Sequence, residues 1–145
     1  MTVRSILDRK KNGGHVVTIG ANETILVAVQ QMRRNSIRSL IVPDTQKPLA
    51  AIITGTDFLR AIEQCGSSIQ KANVGTFATQ KVETCTPDSK ATDVLDFMLN
   101  HRLSHLPVIE KEKLAGIISI GDVAQYVRLR LLEELERTKD YIRTA

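Results

Sequence analysis

The chain repeats itself. Shifted by 66 residues, Val16 falls on Val82, Thr18 on Thr84, Met32 on Met98, Leu40 on Leu106 and Val42 on Val108. One residue is then lost, and at an offset of 65 Leu49 meets Leu114, Ala50 meets Ala115, Ile52-Ile53 meets Ile117-Ile118, Thr54 meets Ser119 and Asp57 meets Asp122. The gap falls between two polar stretches, 44–48 and 110–113, which read as hairpin turns where a change of length costs little. A unit of about 60 residues with one hairpin and two helices leaves a sheet face bare. Two such units cover each other, so the repeat predicts one module with pseudo-twofold symmetry rather than two independent domains. The 145 residues exclude a barrel enzyme of about 250 residues and a two-domain dehydrogenase.

Each repeat reads the same way. The first opens with an extended piece, Val16 to Ile19, followed by a helix from about Asn22, a plausible N-cap, to Asn35. Its apolar residues Ile25, Val29 and Met32 recur at helical spacing. Leu40-Ile41-Val42 and Leu49 to Ile53 form a hairpin of buried strands, and Thr54-Gly55-Thr56-Asp57 opens a helix to about Gln64. The second copy is extended over Lys81 to Cys85 and has a helix ending near Asn100. Its hairpin runs from Leu106 to Ile109 and Leu114 to Ile118, and its last helix opens at Ser119-Ile120-Gly121-Asp122. Pro107 is expected where its missing N–H is not needed. The expected divisions are repeat one at 14–66, repeat two at 67–128 and a helical extension at 129–145.

Composition narrows the function. Hydrophobic residues make up 42% and charged residues 25%, enough for a real core. Aromatics are Phe58, Phe77, Phe97, Tyr126 and Tyr141 only, which argues against readers that stack bases on aromatic platforms. The net charge of +4 is mild and the basic residues are spread, with Arg9-Lys10-Lys11 the only run of three, so nucleic-acid binding ranks last. Cys65 and Cys85 lack the spacing of a redox or metal motif and read as buried thiols in a reducing, cytoplasmic setting. No apolar run reaches the 18 residues of a membrane span, and no apolar stretch follows the opening Met-Thr-Val-Arg as a secretory signal would require.

The residues Leu103-Ser104-His105-Leu106-Pro107-Val108 and Gly116-Ile117-Ile118-Ser119-Ile120-Gly121-Asp122, repeated in degenerate form upstream, resemble the CBS (cystathionine-β-synthase) domain. Two such repeats form a Bateman module, and the resemblance covers about residues 14 to 130. It implies an α+β fold of two β-α-β-β-α repeats packed by pseudo-twofold symmetry into one module. The first copy departs from the pattern: Ala51 stands for Gly116, Ala21 for Pro87 and Ile41 for Pro107; Ala78 occupies the place of a Met common at the start of such second repeats.

CBS pairs, by the same resemblance, bind adenosine ligands such as AMP, ATP, NAD or S-adenosylmethionine between the repeats. A ribose presents two adjacent hydroxyls that donate well to a carboxylate, so Asp57 and Asp122 are the ribose candidates, with Thr54 and Ser119 three residues earlier reaching ribose or phosphate. The helix N-terminus behind them favours an anion. The same Thr-x-x-Asp and Ser-x-x-Asp spacing also reads as a helix capping box, and both roles can hold together. Arg38 and His105 stand in the phosphate-facing neighbourhood. Arg38 is permanently charged and can bind in a fork, whereas His105 is neutral at pH 7 unless an anion raises it, and alternatively reads as a backbone-bonded core histidine. For the adenine, Thr18, Ile19, Thr84 and Cys85 supply backbone groups, and Ile41, Val42, Pro107 and Val108 supply apolar contact. His101 and His105 are four apart, but no third ligand is near, so no metal site is expected.

No nucleophile–base pair and no glycine-rich phosphate loop is present, so the chain reads as a non-enzyme without a catalytic cofactor. The last helix continues past the repeat: Val123, Tyr126-Val127, Leu131-Leu132, Leu135 and Tyr141-Ile142 keep helical spacing, and Glu133–Arg137 is expected as a supporting pair. A stripe of that length wants a partner, here a second copy of the chain, with folding back on its own module as the alternative. The N-terminal Val3, Ile6 and Leu7 are candidates to pack on the same helix. The expected function is a regulatory module that senses an adenine nucleotide and signals through dimer packing to a regulated protein. The alternative is an interaction adaptor that keeps the fold with non-functional pockets.

Overall fold

A computed structural model describes residues 1–10 and 16–144; Lys11, the first two residues of the expected first repeat (14 and 15) and Ala145 lie outside the described residues. The elements are α1 (Val3–Arg9), α2 (Ile25–Asn35), β1 (Ser39–Val42), β2 (Ala51–Thr54), α3 (Gly55–Cys65), a 3-10 segment (Gly66–Lys71), α4 (Val74–Phe77), α5 (Ala91–Asn100), β3 (His105–Glu110), β4 (Lys113–Ser119) and α6 (Ile120–Thr144). The expected division at 66/67 falls inside the 3-10 segment. The α+β class and the duplicated plan are as the sequence predicts.

Each repeat holds one antiparallel hairpin, β1–β2 and β3–β4. The pairs follow the repeat: Leu40 faces Ile53 and Ile41 faces Ile52, as Leu106 faces Ile118 and Pro107 faces Ile117. The leading extended piece of each repeat adds to its hairpin through a single parallel bridge, Thr18 to Ile41 and Cys85 to Val108, rather than a full strand. Proline explains the brevity. In the first repeat Ile41 N–H donates to Val17 O at 3.0 Å and Ile19 N–H to Ile41 O at 2.9 Å, but Pro43 has no N–H to give Ile19 O. In the second, Cys85 N–H donates to Pro107 O at 3.0 Å and Ile109 N–H to Cys85 O at 2.8 Å, while Pro107 cannot copy the Ile41 bond. The N–H missing at Pro107 is therefore one its counterpart uses. It is lost towards the leading segment and not within the hairpin.

The first of the middle helices begins later than the periodicity suggests. The cap of α2 is Thr24, whose hydroxyl accepts from Val27 N–H at 3.2 Å, and not Asn22. The preceding residues are engaged in an exchange of segments. Ahead of the second repeat, Val74 N–H donates to Glu23 O at 2.8 Å, Gly75 N–H to Ala21 O at 2.8 Å, and Ile25 N–H reaches Ala72 O at 2.9 Å. Ahead of the first, Val3 N–H donates to Ser89 O at 3.0 Å, Arg4 N–H to Pro87 O at 2.8 Å, and Ala91 N–H reaches Met1 O at 3.1 Å. So α4 docks on repeat one and α1 docks on repeat two, each with the same bonds. Gly75 is tied to this contact: a Cβ there would meet Ala21 Cβ and O at 3.1 Å.

Three apolar clusters result. One fills repeat one around Leu40, Ile53 and Phe77. One fills repeat two around Met98, Leu106 and Ile118 and includes Val3, Ile6 and Leu7 of α1 against Tyr126 and Val127 of α6. The third joins the halves through Ile41, Ile52 and Ile117, with Val16, Leu49, Val82 and Leu114 alongside. Helix α6 runs 25 residues, about 37 Å at 1.5 Å per residue. Its buried residues are Val123, Tyr126 and Val127; beyond Arg130 it stands clear of the module, with Leu131, Leu135, Tyr141 and Ile142 exposed. The tail does not fold back. Glu133 pairs with Arg130 at 3.0 Å, a turn before it, where Arg137 was expected.

Candidate functional site

The two expected carboxylates differ in their surroundings. Ser119 and Asp122 open α6 with a reciprocal cap: Asp122 Oδ2 accepts from Ser119 N–H at 2.9 Å and Ser119 Oγ accepts from Asp122 N–H at 3.0 Å. The capping geometry is thus realised here. It leaves Asp122 half-buried at the wall of a cleft, where its Oδ2 also accepts from Lys10 Nζ at 2.8 Å. Burial alone pushes the Asp122 carboxyl up, but the Lys10 ammonium and the Ser119 N–H outweigh it and hold the group below its ordinary value.

Asp57, at the matching place on α3, is 3% exposed. Its Oδ2 accepts from Thr54 N–H at 2.8 Å, and its Oδ1 accepts from Thr79 Oγ1 at 2.9 Å and from Arg60 Nη2 at 3.3 Å. Arg60 also donates to Phe77 O. Thr79 sits beside α4 and exchanges backbone bonds with Ile52 at 2.8 and 3.0 Å. The same position in repeat two, Ile117 O, accepts from Lys10 Nζ at 2.8 Å. Thus the exchanged segment reaches each carboxylate, with a neutral hydroxyl at Asp57 and an ammonium at Asp122.

A cleft of about 800 Å³ lies between the repeats. Of the expected residues it gathers Arg38, Ile41, His105, Ser119 and Asp122. It does not bring in Thr54 or Asp57. Thr18 and Thr84 are exposed but not part of its lining, and Ile19, Val42, Cys85, Pro107 and Val108 are buried within the halves. Burial lifts the Cys85 thiol to about 11. His105 Nδ1 lies 2.9 Å from Ser104 Oγ. Burial pushes the imidazole below its ordinary value, and the Lys10 and Arg38 charges act the same way against Asp122, so the ring is neutral at pH 7. His101 turns back to Phe97 O at 2.9 Å. Among the described residues no group of three or more His, Cys, Asp or Glu is placed to hold a metal ion.

The cleft also contains residues that the motif reading passed over. Val16 and Ile117 carried a signal, since both are positions at which the repeat matches itself. Lys10 did not: it precedes the repeat and belongs only to the short basic run. Physically the cleft joins one carboxylate, two cations, a neutral imidazole and an aliphatic wall of Val16, Ile41 and Ile117. That combination suits a ligand with hydroxyls, an anionic group and a flat apolar part.

Comparison with known proteins agrees with the fold. The CBS domain family model matches residues 3–64 and 74–129. The chain is 37% identical over 125 residues to the mitochondrial CBS domain-containing protein CBSX3 of Arabidopsis thaliana, covering 83% of this chain and 61% of that protein, so it spans less than two thirds of that relative's length. It superposes on a CBS-domain protein from Burkholderia ambifaria with a TM-score of 0.81 at 32% identity, covering 88% of this chain and 93% of that one. The CBS domain pair of MJ0100, solved in complex with 5'-methylthioadenosine and S-adenosyl-L-methionine, gives a TM-score of 0.75 at 24% identity over 90% of this chain and 98% of that one. No helix among the described residues is long and apolar enough to cross a membrane. With two matched stretches spanning most of the chain, the protein belongs to the CBS domain family and carries two CBS domains in tandem.

Proposed function

We propose that the chain is a regulatory module that binds an adenosine nucleotide, of the AMP, ATP or NAD class, in the cleft at Asp122. The observation that carries this reading is the convergence of Asp122, Ser119, Arg38 and His105 on one aliphatic-walled cleft of about 800 Å³. In it Asp122 accepts the ribose hydroxyls, Arg38 meets the phosphate and Ile41 and Ile117 hold the base. The likeness to MJ0100, at 24% identity, is one of fold, so the case for an adenosine ligand rests on these residues. The matching place in repeat one is occupied by Arg60 and Thr79, and the reading assigns it no ligand.

The reading assigns the chain no reaction and places it in the cytoplasm, where free Cys65 and Cys85 stay reduced. Its output passes to a regulated protein through pairing of two copies along the exposed stripe of α6, since Leu131, Leu135, Tyr141 and Ile142 have no cover within the module. An adaptor with no ligand is the second reading, favoured by the full engagement of Asp57.

Thermal unfolding with AMP, ATP and NAD tests the first reading. A ligand at 100 times its Kd adds about 2.7 kcal/mol of stability. The shift should vanish in Asp122→Ala. Unmoved melting at millimolar concentration of every ligand supports the adaptor instead. Light scattering tests the pairing: the full chain should run at twice 16.1 kDa, and truncation after Arg128 should return it to a single mass.

A further inference from the structure

The Lys10–Asp122 pair stands where a ribose would bind, and it separates two spaces. On one side is the inter-repeat cleft; on the other is a groove of about 250 Å³ between α1 and α6, lined by Ile6, Arg9 and Tyr126 and sharing Lys10 and Asp122 with the cleft. Lys10 is tied at two points, to Asp122 Oδ2 and to Ile117 O, both at 2.8 Å, with its side chain 26% exposed. A diol that takes Asp122 at Oδ2, the oxygen that Lys10 holds, displaces the ammonium from its counter-charge. A half-buried cation that keeps only a carbonyl and loses its counter-charge is costly, so the exchange is favourable only when the ligand brings an anion to receive it. Among the described residues the remaining charged group of the cleft, Arg38, is also a cation and His105 is neutral, so no second carboxylate there takes the ammonium.

Resting on the nucleotide reading above, we propose that Lys10 is the specificity-determining residue of this site: it makes binding conditional on a phosphate and rejects neutral nucleosides and cationic adenosyl sulfonium ligands. A nucleotide phosphate carries roughly −1.5 to −2 charge at pH 7 and accepts from Lys10 and Arg38 together. Adenosine offers the same diol and base without that acceptor. S-adenosylmethionine brings a carboxylate but also a sulfonium and an ammonium, so it adds a net positive charge beside Lys10 and Arg38.

Calorimetric titration of wild type, Lys10→Met and Lys10→Arg with AMP, adenosine and S-adenosylmethionine tests this, with unfolding curves confirming that each variant is folded. Wild type should bind AMP at least about tenfold tighter than adenosine, and S-adenosylmethionine more weakly than either. Lys10→Met should bring the AMP-to-adenosine ratio within about threefold, by strengthening adenosine and weakening AMP. Lys10→Arg should keep the wild-type preference. If AMP and adenosine bind in a manner lost with Asp122→Ala, yet Lys10→Met leaves their ratio unchanged, this proposal fails and the nucleotide reading stands. The proposal also fails if wild type takes S-adenosylmethionine as tightly as AMP. If wild type binds none of the three, and ATP and NAD leave its melting unmoved, the nucleotide reading falls and the role of Lys10 with it.

Discussion

Asp57 and Asp122 are copies of one residue put to different uses. The Asp57 carboxylate is buried, and every partner on it belongs to its own half: Thr54, Thr79 and Arg60. Removing it leaves the part-buried Thr54 N–H and Thr79 Oγ1 without an acceptor and Arg60 without its counter-charge. Asp57→Ala should therefore cost about 3 kcal/mol in urea unfolding at pH 7. Asp122 faces the cleft, and its loss removes a cap and one ion pair, so Asp122→Ala should cost about 1 kcal/mol. The sign of its pH dependence follows from the lowered Asp122 value. The stabilisation is present above the ordinary aspartate value of about 4 and is lost as pH falls through the folded value. Wild type and Asp122→Ala should thus converge in stability as the pH is taken below the ordinary aspartate range. Equal losses from the two substitutions at pH 7 would contradict the division of labour. The spacing of Ser119 and Asp122 made their cap legible in the sequence. The engagement of Asp57 was not legible, because Thr79 lies in a connector with no pattern and approaches only through the docking of α4.

At the scale of elements, the self-match located both hairpins, since strands that pair in register must carry matching apolar residues. What periodicity does not carry is backbone conformation. Ser36 and Arg102, 66 apart in sequence, both end their helices in the left-handed region with φ of 53° and 54°, and Ile37 N–H and Leu103 N–H close back on Met32 O and Met98 O. Neither is the glycine that usually marks such an end, which is why the ends are blurred in the sequence. The turn of the second hairpin is more demanding: Lys111 and Glu112 both have positive φ, 49° and 64°. Consecutive left-handed residues make the tight turn that suits strand twist and favours Asn-Gly. Lys111→Asn with Glu112→Gly should raise stability by about 1 to 2 kcal/mol in urea unfolding, with the ligand affinity of the distant cleft unchanged. A loss of stability would mean that the turn is not strained by its residues.

At the scale of the molecule, the duplication alone predicts a two-part module, and that was legible. The exchange of segments was not. α1 and α4 are 7 and 4 residues long, share a polar residue before a valine, Thr2-Val3 and Asn73-Val74, and a hydroxyl residue before an apolar one, Ser5-Ile6 and Thr76-Phe77, and lie outside the stretches over which the chain matches itself. Their matching bonds to the two repeats appear only once the chain is folded. The exchange has an energetic consequence. Val3, Ile6 and Leu7 come first in the sequence yet complete the core of repeat two, so the unit that depends on them is the distant one. Ile6 is 3% exposed, and Ile6→Ala should cost about 2 to 4 kcal/mol through the cavity it leaves. The location of the damage separates exchanged from sequential packing. In native-state hydrogen exchange the amides of Leu106, Val108 and Ile118 should lose more protection than those of Leu40 and Ile53. Phe77→Ala, in the core of repeat one, should show the reverse order. If Ile6→Ala instead opened repeat one first, α1 would serve the half it precedes. The path from Asp122 through Lys10 into α1 would then end in the wrong repeat. With the observed docking it ends on Tyr126 and Val127 of α6, directly below the exposed stripe through which two copies would meet.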